Sequence, residues 1–291
     1  MTRLHGAVDS AAGVVPFGHM GWGFRNRAEF LTRAGEYIAD GLRQHQLVAY
    51  VGEPTTEQLE AELLAMPQLT GLPGRDDIAV FSAADYYPFV PGTDVLDAEE
   101  AVRRYLVTAE DAVARGYTGF RAVVDVTSVA RTIVQREALT RLEFQVDQQM
   151  AVLPFSALCA YNVAELGAAA AEVICLHPFV NAAAVGFQVF ADPLAAMSFV
   201  LTGELDASNR SAFAATLERI WPTSEGTTLH IDAFGLTFTD HRSLMVLDDV
   251  ARRHRQTAVL HTGALVPTRL IDLLDLTAVS VVAAPEREAG T

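Results

Sequence analysis

The 291-residue sequence contains no lysine; all 21 of its basic residues are arginine. A phosphate-binding loop of the standard nucleotidase kind needs a lysine on the β- and γ-phosphates, so that site is excluded. Schiff-base and pyridoxal chemistry are excluded on the same ground. Cysteine is nearly absent too. Cys159 and Cys175 are the two in the chain, too few for a disulfide framework or a four-cysteine zinc site. No stretch approaches the run of about 18 apolar residues that a membrane-spanning helix needs, and residues 1–18 lack the charged-then-apolar layout of a secretory leader. The expectation is a cytoplasmic protein with no membrane partner. Positive charge is scarce: the formal net charge is −15, which repels nucleic acids and anionic surfaces. The densest basic run, Arg252, Arg253, His254 and Arg255, reads as a solvated helix end, where cations suit the dipole. No direct nucleic-acid contact is expected.

What is present is a folded chain long enough for two domains, 51% hydrophobic and 20% charged. Phe30, Ala34, Tyr37, Ile38, Gly41 and Leu42 form one face of a helix starting near Arg27. Residues 47–51 read as a buried strand. Thr55 with Gln58 is a capping signature for a helix carrying Leu59, Leu63 and Met66, ended by Pro67. Residues 78–81 make a strand. Asp97 with Glu100 opens a helix that carries Val102, Leu106, Ala109 and Val113 and ends at Gly116. A strand over 120–124 ends at Asp125; a helix over 136–150, a strand over 156–161, a helix over 164–173 and a last strand over 186–190 follow. Asp192 and Pro193 mark the expected boundary between domains 1–192 and 193–291. The second domain reads as strand 197–202, a helix capped by Ser208, strand 228–231, a helix capped by Asp240, strand 258–260, a helix begun at Pro267, and strand 279–282. Strands alternating with helices predict an α/β fold with mostly parallel sheets in both domains.

Three segments of the second domain, taken in order, resemble the STAS family of anti-sigma-factor antagonists: residues 199–206 (FVLTGELD), 229–240 (LHIDAFGLTFTD) and 258–277. The middle one is similar to that family's "DLSGVTFID" loop. The resemblance implies a small STAS-like α/β domain that binds an anti-sigma factor or serine kinase, or another STAS protein, through this loop and the helix after it. The contact residues so implied are Thr237, Thr239, Asp240, His241, Arg242 and Ser243. The family phosphorylates a hydroxyl just after the loop aspartate, in an Asp-Ser-Ser-Gly turn. Here His241 and Arg242 take the two hydroxyl positions, and Ser243 stands where the family has glycine. Switching by the usual phosphorylation is therefore not expected, and Ser243 is the nearest alternative acceptor.

In the first domain, residues 19–24 (HMGWGF), 116–125 (GYTGFRAVVD), a mid-helix Glu143, Cys159 with Tyr161, and His177 with Pro178 resemble the MEDS sensory domain. The resemblance implies a RecA-like parallel sheet. Such ancestry would put a phosphate loop at residues 51–56, but that stretch has neither the second glycine nor a lysine, and Glu53 would repel phosphate. Asp125 sits where such folds keep a magnesium-linked carboxylate; with no phosphate loop it is expected to cap the next turn.

His19, Trp22, Asp125, Glu143, Cys159, Tyr161 and His177 are the candidate lining of a ligand pocket. Zinc would accept several of them. However, Cys175 and His177 on one short turn are not a usual ligand spacing, and the others lie far apart in sequence. The expectation is no metal and no cofactor. A nucleophile made of Cys159 with His19 or His177 is weighed and set aside, since an apolar strand leaves a thiol inert. His45 and His230 read as structural. Residues 85–89 (DYYPF) place aromatics in a loop, where core packing does not explain them. The expected function is a non-enzymatic signalling regulator of the anti-sigma-factor antagonist type, with homodimerisation as the default. The alternatives are a nucleotide-binding RecA-like enzyme and a structural scaffold of STAS assemblies.

Overall fold

A computed structural model describes residues 3–13, 18–53, 55–181, 184–192, 197–223 and 226–282. Pro54 and Pro193, in the expected phosphate-loop stretch and at the expected boundary, lie outside them. The chain divides into two compact units, Leu4–Ala184 and Val185–Thr291, the latter grouped with Met1–Arg3. No helix among the described residues is long and apolar enough to cross a membrane.

The first unit runs β1 (Gly6–Val8), β2 (His19–Phe24), α1 (Arg27–Arg43), β3 (Leu47–Gly52), α2 (Thr56–Ala65), β4 (Ala79–Ser82), α3 (Ala83–Tyr86), α4 (Ala98–Ala114), β5 (Phe120–Asp125), α5 (Ile133–Met150), β6 (Phe155–Asn162), α6 (Val163–Leu166), α7 (Ala171–Ile174) and β7 (Phe179–Asn181). Its seven strands form one sheet in the order β1-β7-β2-β6-β5-β3-β4, with every pairing parallel. Side chains alternate across a strand, and that alternation sorts the two cores. Met20, Trp22, Phe24, Tyr50, Val123, Leu158 and Ala160 join Phe30, Ala34, Tyr37 and Ile38 of α1 and Leu59 and Leu63 of α2. On the opposite face α4 and α5 pack on each other and against β5 and β6.

Several expectations are corrected. Residues 19–24, to which the sequence pattern assigned no element, form a strand at the centre of the sheet. Gly21 and Gly23 disguise it, and both are needed: a Cβ on Gly21 would sit 2.7 Å from His177 Nδ1, and one on Gly23 2.9 Å from Val163 Cγ1. α5 begins at Ile133, ahead of the expected Arg136, because Thr132 and Gln135 form a reciprocal capping box. Ile133 and Val134 are exposed and fall outside any apolar stripe. The helix expected over 164–173 breaks at Gly167, whose φ is +57°, into α6, a 3₁₀ turn and α7.

The second unit runs β8 (Phe187–Phe190), β9 (Phe199–Leu205), α8 (Arg210–Ile220), β10 (Thr228–Asp232), β11 (Leu236–Thr239), α9 (His241–Arg253), β12 (Thr257–His261), α10 (Leu265–Leu273) and β13 (Val279–Val282). Its sheet is ordered β11-β9-β10-β12-β13, with β8 also on β9. The pairings are parallel apart from β8, which runs antiparallel to β9 from Phe187 opposite Gly203 to Phe190 opposite Val200. The strand expected to close the first domain thus belongs to the second sheet, where Phe187 packs edge-on against Phe213 of α8. Ser208 does not cap α8. Its N–H and hydroxyl both go to Asp206 Oδ1, and the helix starts two residues later. Asp240 does cap α9, accepting the Ser243 N–H at 2.7 Å. The chain is therefore α/β throughout, a seven-stranded parallel sheet followed by a smaller mixed one.

Candidate functional site

β2 and β6 are neighbours in register, Gly21 opposite Cys159. Residues 19, 21, 159 and 161 therefore point to the same face, the one covered by α5. Glu143 and Asp147, one turn apart on α5, look back at them. His177 enters from the turn after α7, in the space left by Gly21. His19, Cys159, Tyr161, Glu143, Asp147 and His177 thus meet in one buried polar cluster, each at most 5% exposed.

His19 bridges two carboxylates, with Nδ1 3.0 Å from Asp147 Oδ1 and Nε2 3.1 Å from Glu143 Oε2. Burial works against its positive charge, but Asp147 and Glu143 outweigh that and raise its pKa. Glu143 also accepts from Tyr161 Oη at 2.9 Å. Burial alone would raise Glu143; its partners His177 and His19 hold it well below the usual carboxylate range. Cys159 Sγ lies 3.6 Å from both His19 Nε2 and Glu143 Oε2, and burial pushes the thiol far up, with the Glu143 charge adding to it. That is the reverse of an activated nucleophile. His177 Nδ1 donates to the Ile174 carbonyl at 3.1 Å, and burial followed by the charge on His19 lowers its pKa.

Five of the seven residues expected to line a pocket therefore converge. Trp22 and Asp125 do not. Trp22 is three residues from His19, so it points to the other face, where the Arg33 guanidinium covers its ring. Asp125 also serves that face: Arg27 Nη1 meets it at 2.9 Å, and it accepts both the N–H and the hydroxyl of Thr127, the expected turn cap. Burial raises its carboxyl, with Thr127 and Arg27 opposing. The convergent residues form a packed cluster and not an open pocket. Distance in sequence does not keep candidate metal ligands apart: the fold brings His19, Glu143, Cys159 and His177 together with one ligating atom of each within 4.8 Å of the others. Cys175, also buried, is not among them. Sequence reasoning missed Asp147, although its position four residues after Glu143 on one helix face was a usable signal.

Residues 85–89 are not all loop, since Asp85 and Tyr86 close α3; a cleft of about 310 Å³ opens between them and α4, lined by Phe81, Asp85, Tyr86, Tyr87, Arg104 and Tyr105 among others. The segment singled out for its aromatics therefore builds a pocket wall. Tyr86 meets both Tyr87 and Tyr105 edge-on. Burial raises the Tyr87 hydroxyl, with the charges of Cys159 and Glu143 adding to the shift.

In the second unit the expected contact residues divide. Thr237, His241 and Arg242 are exposed, Asp240 is half-buried, and Thr239 and Ser243 are buried. Ser243 is 1% exposed and its hydroxyl donates to Asp240 Oδ1 at 2.8 Å, so it is not presented as a phosphoacceptor. Asp240 Oδ2 is paired with Arg210. Beside the exposed polar residues stand Phe234 and Phe238, each 51% exposed, and Met245. The sequence match pointed to the loop but not to these apolar side chains.

A family model described as MEDS, the MEthanogen/methylotroph, DcmR Sensory domain, matches residues 18–178. Among solved structures, the anti-sigma factor antagonist SpoIIAA in its unphosphorylated form is 18% identical, covering 35% of this chain and 91% of its own, with a TM-score of 0.28. A KaiC-like protein from the hyperthermophilic archaeon Pyrococcus horikoshii OT3 is 13% identical, covering 55% of this chain and 76% of its own, with a TM-score of 0.36. No curated protein matches. Likenesses this distant leave the function to the residues themselves.

Proposed function

We propose a sensory regulator without catalysis, from the premise that the chain belongs to the MEDS family, whose sensory-domain model matches more than half of it. That match is the observation carrying the reading. The first unit senses a small molecule, and the aromatic cleft beside α4 is its entrance. Phe81, Tyr86 and Tyr105 suit a ligand with an apolar or aromatic body, and Asp85 and Arg104 can orient its polar end.

The second unit passes the state on by docking another protein. The STAS reading rests on three sequence segments, which fall on β9, on β10 through the start of α9, and on β12 through α10. The exposed Phe234, Phe238, His241, Arg242 and Met245 supply an apolar centre with a polar rim. The partner is an anti-sigma factor or serine kinase, or another STAS protein. Burial of Ser243 and the arginine at 242 support a docking face that works without phosphorylation. Nucleotide hydrolysis fits poorly, because Arg27, Glu62, Tyr50 and Asp125 are tied together in one network at the carboxyl ends of β3 and β5.

The test mixes purified protein with host anti-sigma kinases and ATP, then reads size-exclusion elution and intact mass. A stable complex with no added phosphate, lost on Phe238→Asp, is the expected result. No complex with any host partner removes the antagonist role. ATP turnover abolished by Asp125→Ala would replace it with an enzymatic one.

A further inference from the structure

The buried cluster brings together a thiol, two imidazoles and a carboxylate. We propose that His19 Nε2, Glu143 Oε2, Cys159 Sγ and His177 Nε2 form a closed, four-coordinate site for a divalent transition cation of the zinc type. The inference is independent of the partner that the second unit binds.

Spacing is the first argument. A tetrahedral ion with zinc-like bonds of about 2.0–2.3 Å sets its ligand atoms about 3.3–3.6 Å apart. Here His19 Nε2 is 3.1 Å from Glu143 Oε2, Cys159 Sγ is 3.6 Å from each of those two atoms, and His177 Nε2 is 3.6 Å from Glu143 Oε2. The second argument is the supporting shell. Ligating imidazoles give their other N–H to a carboxylate or a backbone carbonyl. His19 Nδ1 faces Asp147 and His177 Nδ1 faces the Ile174 carbonyl. Tyr161 holds the other oxygen of Glu143.

On binding, the Cys159 thiol and any proton on the ligating imidazole nitrogens are given up to solvent, leaving a thiolate, two neutral imidazoles and a carboxylate as the ligands. With all four ligands buried, no position is left for substrate, so the role is structural.

The test uses the full-length chain, purified under reducing conditions, exposed to zinc or cobalt(II) and desalted. The expected result is one ion per chain by elemental mass spectrometry. X-ray absorption should show one sulfur neighbour at about 2.3 Å among nitrogen and oxygen neighbours at about 2.0–2.1 Å. The cobalt form should show tetrahedral visible bands and a thiolate charge-transfer band. Cys159→Ser should lose that band, and Cys175→Ser should keep it. Should Cys159→Ser fail to fold, X-ray absorption of the unmutated chain decides alone. A folded chain that retains no ion, or holds one without a sulfur neighbour, overturns the proposal.

Discussion

Single side chains set the buried cluster and the loop that leads into α9. Gly21 is there because His177 occupies the place of its Cβ, 2.7 Å from Nδ1, with the Ile174 carbonyl at 3.0 Å on the same side. Gly21→Ala is expected to cost about 1–3 kcal/mol, the usual overpacking range, measured by urea denaturation. A loss under 0.5 kcal/mol would mean that His177 sits elsewhere. Asp240 joins a cap to an ion pair. Burial tends to raise its pKa, but the Ser243 N–H and hydroxyl and the Arg210 guanidinium bring it below the usual carboxylate value. A depressed carboxyl contributes stability above its ordinary pKa and loses it as pH falls through the folded pKa. Asp240→Ala should therefore cost about 1 kcal/mol at neutral pH. Asp240→Asn, which still caps, should cost less and flatten the acid limb of the stability–pH curve. His19, Glu143, Cys159, Tyr161 and His177 were legible as a group from motif resemblance. Their contact was not, since it depends on strand parity and on β2, which two glycines concealed.

At the scale of elements, periodicity revealed the amphipathic helices well. α1, α2, α4 and α9 each carry an apolar stripe, and Asn26, Thr55, Asp97 and Asp240 cap them. Periodicity failed on β1 and β7, three residues each, which are too short to show a period. It also gave no pairing partner for β8. Antiparallel pairing from Phe187 to Phe190 makes β8 part of the second sheet. A fragment of residues 185–291 is expected to unfold cooperatively in a thermal melt followed by circular dichroism. A fragment of residues 193–291, lacking Phe187 and Phe190, should melt markedly lower or lose its cooperative transition. Equal stability of the two would show that β8 adds nothing to the second unit. Truncating a single buried phenylalanine costs about 3–5 kcal/mol, so removing two should be plain to see.

Over the whole molecule, the charge of −15 acts as one field. Self-repulsion of that size destabilises compact states, and salt screens it over a Debye length of about 8 Å at physiological strength. The melting temperature should rise between very low and physiological ionic strength; a fall would mean that local ion pairs such as Arg131 with Glu53 and Glu165 outweigh the global term. The parallel sheet carries a further consequence. The cluster draws its members from residues 19 to 177, nearly the full span of the first unit, through a central strand whose neighbours β6 and β7 come last in sequence. A ribosome must have released almost the entire unit before β2 can find either neighbour, and contacts of such long sequence separation form slowly. Until then β2 waits with both edges open. The cluster therefore cannot be completed until nearly all of the unit has been synthesised, and a chain cut short before His177 can never reach it.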